Sequence, residues 1–165
     1  MKFVLPTEEN RDDVLAFYKE IEESGSECIG CRNGKDYDKW LSEMQDRHSG
    51  KNLPDGYVRE NFYLCYDESG LVGVFSLKFS LTEYLEKYGG HIGYAVRPSK
   101  RNRGFATQIL KQGKELAEEL GFGTLICVCD EDNAASEKVI IKNGGVFIDR
   151  LCDEEEKVFV KRYKI

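Results

Sequence analysis

Hydrophobic and polar residues recur with two different periods along this chain, and together they predict helices and strands. In 8–24 and 104–120, apolar residues return every three to four positions, as they do on the buried face of an amphipathic helix. Shorter apolar runs, bounded by glycine, proline and polar turn residues, are typical of strands. The predicted strands are Lys2–Leu5, Phe62–Tyr66, Leu71–Leu77, His91–Val96, Thr124–Cys129, Val146–Leu151 and Val158–Tyr163.

Two shorter helices complete the pattern, at 36–46 and 133–143. Each begins at a residue whose side-chain oxygen can accept hydrogen bonds from the free N–H groups of the first turn, Asp36 in one and Asn133 in the other. Thr7 can cap the helix 8–24 in the same way. We therefore predict four helices between the seven strands.

Three further segments carry weaker signals. Residues 47–60 are rich in turn residues and predict a loop, whereas Leu81–Tyr88 is either a short helix or an irregular excursion. Gly113 lies on the apolar face of the helix 104–120, where glycine costs about 1 kcal/mol of helix propensity. We expect another backbone to pack closely against Gly113.

The predicted order of elements is β-α-α-β-β-β-α-β-α-β-β, which is a mixed α/β domain. The fourth strand, the long helix and the fifth strand follow one another, and this arrangement favours a right-handed parallel crossover. The strands of the two predicted hairpins, one before this crossover and one after it, are expected to pair antiparallel. A chain of 165 residues is about one domain, and it buries enough surface to fold without disulfides or metal. We therefore treat residues 1–165 as a single domain.

Composition and charge exclude several classes of protein. The longest apolar runs are about five residues, whereas a membrane span needs about 20. Met1–Asn10 has no long apolar core, so we expect no cleavable signal peptide. The 24 basic and 30 acidic side chains give a net charge of −6, which disfavours broad nucleic-acid binding and mildly favours a cationic partner.

The six cysteines are predicted to be reduced thiols of a cytoplasmic protein. Cys28 and Cys31 have a spacing found in metal sites, but no second pair with that spacing supplies the four ligands that zinc needs. Cys127 and Cys129 lie two apart in an apolar run, as residues on one face of a strand do. We expect a structural role for the cysteines and no metal.

One short segment is strongly basic. Arg97–Arg103 carries four positive charges and no acid in an otherwise acidic chain, and it joins a predicted strand to the helix 104–120. The free N–H groups at the start of a helix favour an anion, and Gly104 allows a ligand to approach the backbone closely. This pattern indicates a diphosphate site, with a solvated basic loop as the alternative. A P-loop and a Rossmann turn are excluded, since neither glycine motif is present.

Two motifs resemble those of the GNAT superfamily of N-acetyltransferases. Arg101–Ala106 is similar to the Gln/Arg-x-x-Gly-x-Gly/Ala signature of that family. Asn133, Ser136, Val139, Lys142 and Gly144 match a later family motif in order and spacing. The run Gly90–Pro98 resembles a group of poorly characterised bacterial members, and the resemblance covers residues 90–147. It implies a mostly antiparallel central sheet with a parallel crossover between the fourth and fifth strands, flanked by helices.

The resemblance implies acetyl-CoA as acetyl donor and an amine as acceptor. Residues 101–107 would hold the diphosphate of CoA through backbone amides, and main-chain groups of Tyr94, Ala95 and Val96 would pair with pantetheine and polarise the thioester. Asn133 and Ser136 would reach the donor from the next helix, although both also suit a helix cap. The donor-binding residues implied within this set are Tyr94, Ala95, Val96, Arg101, Asn102, Arg103, Gly104, Phe105, Ala106, Thr107, Asn133 and Ser136.

The implied reaction is direct attack of the amine on the thioester in a ternary complex. His91 is the candidate base, because an ordinary histidine titrates near pH 6.5 and no glutamate lies on its strand; a hydrogen-bonded histidine within the sheet is the alternative. The family often has a tyrosine acid after Val139, and this chain has Ile140 there. Either Tyr94, Tyr84 or Tyr88 replaces it, or the thiolate leaves unaided.

The resemblance implies an acceptor site near acidic residues between positions 22 and 38, and aromatic residues between 37 and 84 could contribute to it. The acids are Glu22, Glu23, Glu27, Asp36 and Asp38, with a solvated face as the alternative. The aromatic residues could line a cleft or fill the core: Tyr37, Trp40, Tyr57, Phe62, Tyr63 and Tyr84.

We expect a small cationic amine as acceptor, with no nucleic-acid or membrane partner. The alternatives are a protein N-terminus or lysine, and a catalytically silent CoA-binding sensor. Many relatives form dimers, so both a monomer and a homodimer stay open.

Overall fold

The computed structural model describes residues 1–30 and 36–165. Within them, seven strands and four α-helices follow the predicted order. The strands are β1 Lys2–Val4, β2 Glu60–Asp67, β3 Gly70–Lys78, β4 Ile92–Val96, β5 Ile126–Asp130, β6 Val146–Asp153 and β7 Val158–Lys164. The helices are α1 Arg11–Glu23, α2 Tyr37–Ser49, α3 Phe105–Glu119 and α4 Ala134–Lys142.

All seven strands form one sheet in the order β1-β2-β3-β4-β5-β7-β6. Neighbouring strands run antiparallel except β4 and β5, which are parallel and joined through α3. The predicted fold class is therefore confirmed, including the crossover between the fourth and fifth strands. Its consequence is that the carboxyl ends of β4 and β5 point to the same edge of the sheet.

Two hydrophobic clusters cover the two faces of the sheet. The alternation along β2 separates them: Tyr63 and Cys65 pack with α3 and α4, whereas Phe62 and Leu64 pack with α1 and α2. Cys127 and Cys129 are both buried in the α3 and α4 cluster, as their spacing predicts. Cys31 lies outside the described residues, so the spacing of Cys28 and Cys31 has no structural description.

Several predicted boundaries differ from those of the structure. The second helix extends to Ser49 instead of ending near Asp46, because Gly50, with φ of +71°, is the residue that ends it. His48, expected in a loop, therefore lies in α2 and hydrogen-bonds Asn61 Oδ1 at 2.7 Å. The excursion after β3 contains a π-helical turn at Leu85–Gly89.

Gly113 does pack closely, but its neighbour is a side chain and not the expected backbone. A Cβ built on Gly113 would overlap the ring of Phe75, which is fully buried on β3. Glycine at this position lets α3 approach the sheet.

In the described ranges, no helix is both long and apolar enough to cross a bilayer. The same residues contain no group of three or more histidine, cysteine, aspartate or glutamate side chains that could hold a metal ion.

Candidate functional site

The parallel strands β4 and β5 separate soon after they meet. β4 pairs with β3 along its full length, from Leu77 opposite Ile92 to Gly73 opposite Val96. It pairs with β5 at Ile92 opposite Cys127. Beyond that pair, the edge of β4 that faces β5 has no strand partner in the described chain. Its backbone groups are therefore available to a ligand, apart from the Val96 carbonyl, which accepts from Arg101 Nε at 3.3 Å. We call this gap the β4–β5 split.

Helix α3 follows β4 and begins near the end of the β4–β5 split where the two strands are apart. No side chain caps the N-terminus of α3, and the first bond of the helix runs from Gln108 N–H to the Gly104 carbonyl at 3.1 Å. The N–H groups of residues 105–107 precede that bond and have no acceptor within the helix. Free amides and the helix dipole together favour an anion at this position.

Gly104 makes room at this helix start. Its φ is +82°, a backbone conformation that glycine adopts readily, and a Cβ built there would meet no atom within 4 Å. Asn102 also has a positive φ, of 59°. The exposed residues 101–104 thus lead into a helix N-terminus with open space beside it.

One arginine of the basic segment is held by an acid of α1. Arg97 Nε donates to Glu20 Oε1 at 2.6 Å, and the backbone N–H of Ser99 donates to Glu20 Oε2 at 3.3 Å. These bonds join the segment to α1. Arg97 therefore positions the loop, and its charge is neutralised by Glu20.

The other arginines lie at the exposed surface of the loop. Arg101 donates from Nε to the Val96 carbonyl at 3.3 Å and from Nη1 to Ser26 Oγ at 2.9 Å. The Arg103 guanidinium lies 5.6 Å from the centre of the Phe105 ring. Both keep guanidinium groups beside the start of α3, where positive charge adds to the attraction for a diphosphate.

Tyr94 reaches across from β4 to the helix that follows β5. Its hydroxyl lies 2.8 Å from Ser136 Oγ and 3.4 Å from the Ser136 carbonyl oxygen, to which it can donate. Burial raises the pKa of Tyr94 to about 12, so the phenol stays protonated at neutral pH. Asn133 caps α4, since its Oδ1 accepts the backbone N–H of Ser136 at 3.0 Å. The cap expected for Asn133 is confirmed.

His91 lies where β4 and β5 meet. Its backbone N–H donates to the Ile126 carbonyl at 2.8 Å, and its Nδ1 accepts the Ile126 N–H at 3.0 Å. A neutral imidazole with Nδ1 as acceptor carries its proton on Nε2, so neither nitrogen has a lone pair free to take a proton. Burial and the charge of Lys78 lower the pKa of His91. This geometry favours the hydrogen-bonded alternative, and the role as base stays a prediction.

A cavity of about 820 Å³ lies against the sheet on the α1 and α2 side. We call it the acceptor cavity. Its walls are residues 27–30, the C-terminal half of α2, the loop that precedes β2, and Tyr84 with Leu85. Its floor is formed by residues of β2, β3 and β4, and includes Tyr94 and Ala95. The strand that borders the β4–β5 split therefore also lines the cavity.

The cavity is acidic, though mostly through residues that the sequence analysis did not select. Of the five predicted acids, Glu27 lines it. Asp36 instead caps α2, and Asp38 pairs with Arg11. Glu22 and Glu23 lie exposed on α1. The other lining acids are Glu43, Asp46 and Glu60.

Glu60 is the most buried of these acids, with 8% of its side chain exposed. Its Oε2 lies 2.9 Å from Arg47 Nη1, and its Oε1 lies 3.6 Å from Lys78 Nζ. Both cations also line the cavity. Glu60 was predicted to lie in the loop 47–60, before the strand Phe62–Tyr66, whereas in the structure it is the first residue of β2.

The aromatic residues divide between core and cavity. Tyr37, Trp40, Phe62 and Tyr63 are buried in the core, and Phe62 also borders the cavity. Tyr57 and Tyr84 are each 44% exposed and line its walls.

Tyr84 and Tyr88, in the segment between β3 and β4, form hydrogen bonds with the β6–β7 hairpin. The Tyr84 hydroxyl donates to Asp153 Oδ2 at 2.8 Å, and that of Tyr88 donates to the Cys152 carbonyl at 3.2 Å. Asp153 and burial raise the pKa of Tyr84 to about 12. Tyr84 thus forms part of the cavity wall, and Tyr88 anchors the excursion.

Comparison with known protein families identifies the family of this chain. The family described as acetyltransferase (GNAT) domain matches residues 2–146. The chain belongs to the GNAT acetyltransferases. A search of curated protein sequences gives no significant match.

Solved structures of GNAT proteins share the fold. An acetyl transferase from Salmonella typhimurium that modifies the N-terminal serine of a 50S ribosomal subunit protein has a TM-score of 0.74 at 18% identity, covering 99% of this chain and 92% of its own. The Microcin C7 self immunity acetyltransferase, in complex with acetyl-CoA and AMP, has a TM-score of 0.71 at 14% identity, covering 99% and 90%. A variant of spermidine N-acetyltransferase from Vibrio cholerae has a TM-score of 0.68 at 16% identity, covering 100% and 94%.

As a GNAT N-acetyltransferase, the protein uses acetyl-CoA as donor. Its departure from the family pattern at Ile140 also has a structural description. Ile140 is fully buried in the cluster under α3 and α4, and a Cβ on Gly145 would overlap its side chain. No proton donor is present at that position. Two tyrosine hydroxyls lie beside α4: that of Tyr163 donates to Glu137 Oε1 at 2.6 Å, and that of Tyr94 lies 2.8 Å from Ser136 Oγ.

Proposed function

We propose that this GNAT acetyltransferase transfers acetyl from acetyl-CoA to a small cationic primary amine, by direct attack in a ternary complex. The observation that carries the proposal is the position of β4. One edge of this strand is open towards the β4–β5 split, and its residues Tyr94 and Ala95 line the acceptor cavity. A donor in the split and an amine in the cavity would therefore meet at β4.

The donor would be bound mainly by backbone groups. The amides at residues 101–107 would hold the diphosphate, with Arg101 and Arg103 adding charge. Backbone groups of Tyr94 and the N–H of Val96 would pair with pantetheine along the open edge, whereas Ala95 pairs with Val74 of β3. A backbone N–H directed at the thioester oxygen stabilises the charge that develops during attack, typically by a few kcal/mol. Ser136 and Asn133 border the same space from α4.

The charge of the cavity supports a cationic acceptor. Glu27, Glu43, Asp46 and Glu60 line it, against the two cations Arg47 and Lys78. The charge of Glu27 is also felt at Asp130, at the end of β5. The pKa of Asp130 is raised by burial and by the negative charges of Asp132 and Glu27. An acidic field of this kind attracts an ammonium ion.

The amine must lose a proton before it attacks, because its lone pair is the nucleophile. Both nitrogens of neutral His91 are engaged or protonated, and Glu60 is held by two cations. A water chain leading out of the cavity is therefore the route that the geometry favours over His91. His91 as base is the alternative, and the two make different predictions for the pH profile.

Tyr94 is the group proposed to assist the leaving thiolate. Its pKa of about 12 lies well above the pKa of an ordinary thiol, which is about 8.5. Complete transfer of the phenol proton to the thiolate would therefore be uphill by about 5 kcal/mol. A hydrogen bond from the phenol to the thiolate needs no such transfer. We therefore assign Tyr94 to stabilisation of the thiolate by hydrogen bonding.

A protein N-terminus is the second candidate acceptor. The structural neighbours named above include an enzyme that modifies an N-terminal serine as well as one named for spermidine. The volume of the cavity, about 820 Å³, admits either a polyamine or the first residues of a peptide. The acidic lining favours the polyamine, since its additional ammonium groups find partners there.

Calorimetry followed by a thiol-release assay tests the proposal. Acetyl-CoA should bind selectively over ATP and NAD, and thiol release should then be measured with spermidine, lysine, an aminoglycoside and a serine-initiated peptide. Faster release with the cationic small amines supports the proposal, and release with the peptide alone supports the second candidate. Binding of acetyl-CoA without release by any amine would contradict both and indicate a CoA-binding sensor.

A further inference from the structure

The hydroxyl of Ser76 is a buried polar group without a partner on the floor of the acceptor cavity. Ser76 is 1% exposed and lines the cavity, and its Oγ forms no hydrogen bond with any described residue. The other atom of this kind in the described chain, Gln112 Oε1, belongs to α3 and does not line the cavity. Burying a hydroxyl without a partner costs free energy, so such a group in a cavity calls for a ligand.

Ser76 also lies at the start of the β4–β5 split. It pairs with Gly93, the first residue of β4 beyond the last pair between β4 and β5. A Cβ built on Gly93 would lie 2.9 Å from Ser76 Oγ and 3.1 Å from Ile29 Cγ2. The hydroxyl therefore lies over the backbone of Gly93, on the cavity side of the strand whose open edge begins there.

The other polar groups of this floor are already paired. Both carboxylate oxygens of Glu60 face cations, Arg47 on one side and Lys78 on the other. Ser76 Oγ keeps both lone pairs and its proton available. Among the described residues it thus has no partner, whereas each Glu60 oxygen already faces a cation.

We infer that Ser76 binds the acceptor amine, with its Oγ accepting a hydrogen bond from an N–H of the primary amine. An amine that attacks a thioester must turn its lone pair towards the carbonyl carbon, and its N–H bonds then need acceptors on the opposite side. Ser76 supplies one at the point where cavity and split meet. This inference rests on the proposed function and adds to it a residue that orients the nucleophile.

Substitution of Ser76 separates this role from a structural one. Ser76→Ala removes no hydrogen bond from the folded protein, so its thermal midpoint should equal or exceed that of the parent. The Kd for acetyl-CoA should change less than about twofold, while kcat/KM for the amine falls about tenfold or more. Ser76→Cys keeps a side chain of similar shape but offers a weak acceptor, and it should show the same loss.

The experiment uses whichever of spermidine and the serine-initiated peptide releases thiol with the parent enzyme. Ser80→Ala is the matched control, because Ser80 is an exposed serine just after β3 and lies outside the cavity. The inference would be overturned if kcat/KM for the amine stayed within about twofold of the parent value in both Ser76→Ala and Ser76→Cys. That result would leave the proposed function intact. An equal loss of acetyl-CoA affinity would also overturn it. If the parent enzyme releases no thiol with any amine, the proposed function fails, and the inference fails with it.

Discussion

The hydroxyls of Tyr94 and Ser136 lie 2.8 Å apart and join β4 to α4 across the β4–β5 split. Ile140 is buried in the core and has no proton to donate, so Tyr94 is the group that we propose to stabilise the departing thiolate. The bond also explains why Tyr94, on a strand with an open edge, has a defined position before any ligand binds.

Tyr94→Phe tests that arrangement by removing the hydroxyl and keeping the ring. We expect kcat to fall about tenfold, because a hydrogen bond to a charged group is worth about 1.5–3 kcal/mol, while the Kd for acetyl-CoA changes little. Thiol release and calorimetry measure the two quantities. Tyr88→Phe is the control, since the Tyr88 hydroxyl donates to the Cys152 carbonyl away from the split. Equal losses in both variants would show that Tyr94 has no special role.

Gly104→Val should abolish tight binding of acetyl-CoA. Valine would place its side chain in the open space before α3, where the diphosphate is proposed to lie, and it would also be strained at φ of +82°. Gly121 lies just beyond the opposite end of the same helix, with φ of +86° and likewise nothing within 4 Å of a built Cβ.

Gly121→Val therefore reproduces the strain without touching the donor site. Both variants should lose similar stability on thermal denaturation, roughly 1–2 kcal/mol or more. Calorimetry should find loss of acetyl-CoA affinity with Gly104→Val alone. Unchanged affinity in that variant would refute the assignment of the diphosphate to the start of α3.

His91→Asn tests the histidine through pH. Burial lowers the pKa of His91 in the folded protein below its unfolded value, so the unfolded state binds more protons as the pH falls. The contribution to stability is complete above the unfolded pKa of about 6.5 and is lost as pH decreases from there towards the folded pKa. The parent should therefore lose stability over that range, and the variant should show a smaller dependence.

The same variant distinguishes the two roles of His91 in catalysis. If His91 is hydrogen-bonded to Ile126 and takes no proton, the pH profile of kcat/KM keeps its shape in His91→Asn. A base at this position would instead give a rate reduced about 100-fold and a profile without its acidic limb. Urea denaturation at several pH values and initial rates over the same range provide both readings.

Glu60→Gln should destabilise the protein and weaken its affinity for a cationic amine. The substitution leaves Arg47 and Lys78 without their shared counter-ion in a half-buried setting, which costs about 3 kcal/mol by comparison with other buried pairs. It also removes one negative charge from the cavity, so KM for spermidine should rise. Glu83→Gln is the control, because Glu83 pairs with Lys87 on the surface and is 85% exposed. A KM unaffected by Glu60→Gln would contradict the electrostatic basis of acceptor binding.

Local features of the sequence predicted the start of α3 and the cap of α4, which lie beside the proposed donor site. The start of α3 depends on Gly104 and on the residues next to it in the chain, and the cap by Asn133 depends on Ser136 three residues later. Turn, cap and helix interactions join neighbours in sequence, so they are visible in a single chain. The order of strands and helices followed from the same kind of pattern.

The acceptor half was predicted less well. Glu43, Asp46 and Glu60 line the cavity, whereas four of the five selected acids do not. Ser76 was the lone hydroxyl in the apolar strand of 71–77, but nothing in the sequence tells whether such a group is paired. His91 likewise required the structure, because its partner Ile126 lies 35 residues further along the chain.

The sequence by itself determined the α/β fold, the parallel crossover through α3 and the basic segment that leads into that helix, since periodicity, capping and turn residues act between near neighbours. The tertiary structure alone decided where β4 leaves β5, which carboxylates surround the cavity, and that Ser76 Oγ is buried with no partner among residues 1–30 and 36–165. Those properties arise from the packing of α2, β2, β3 and β4, whose residues are distant in the chain. Burial and pairing of a polar group depend on all of its spatial neighbours, and these are assembled only when the sheet and its helices come together.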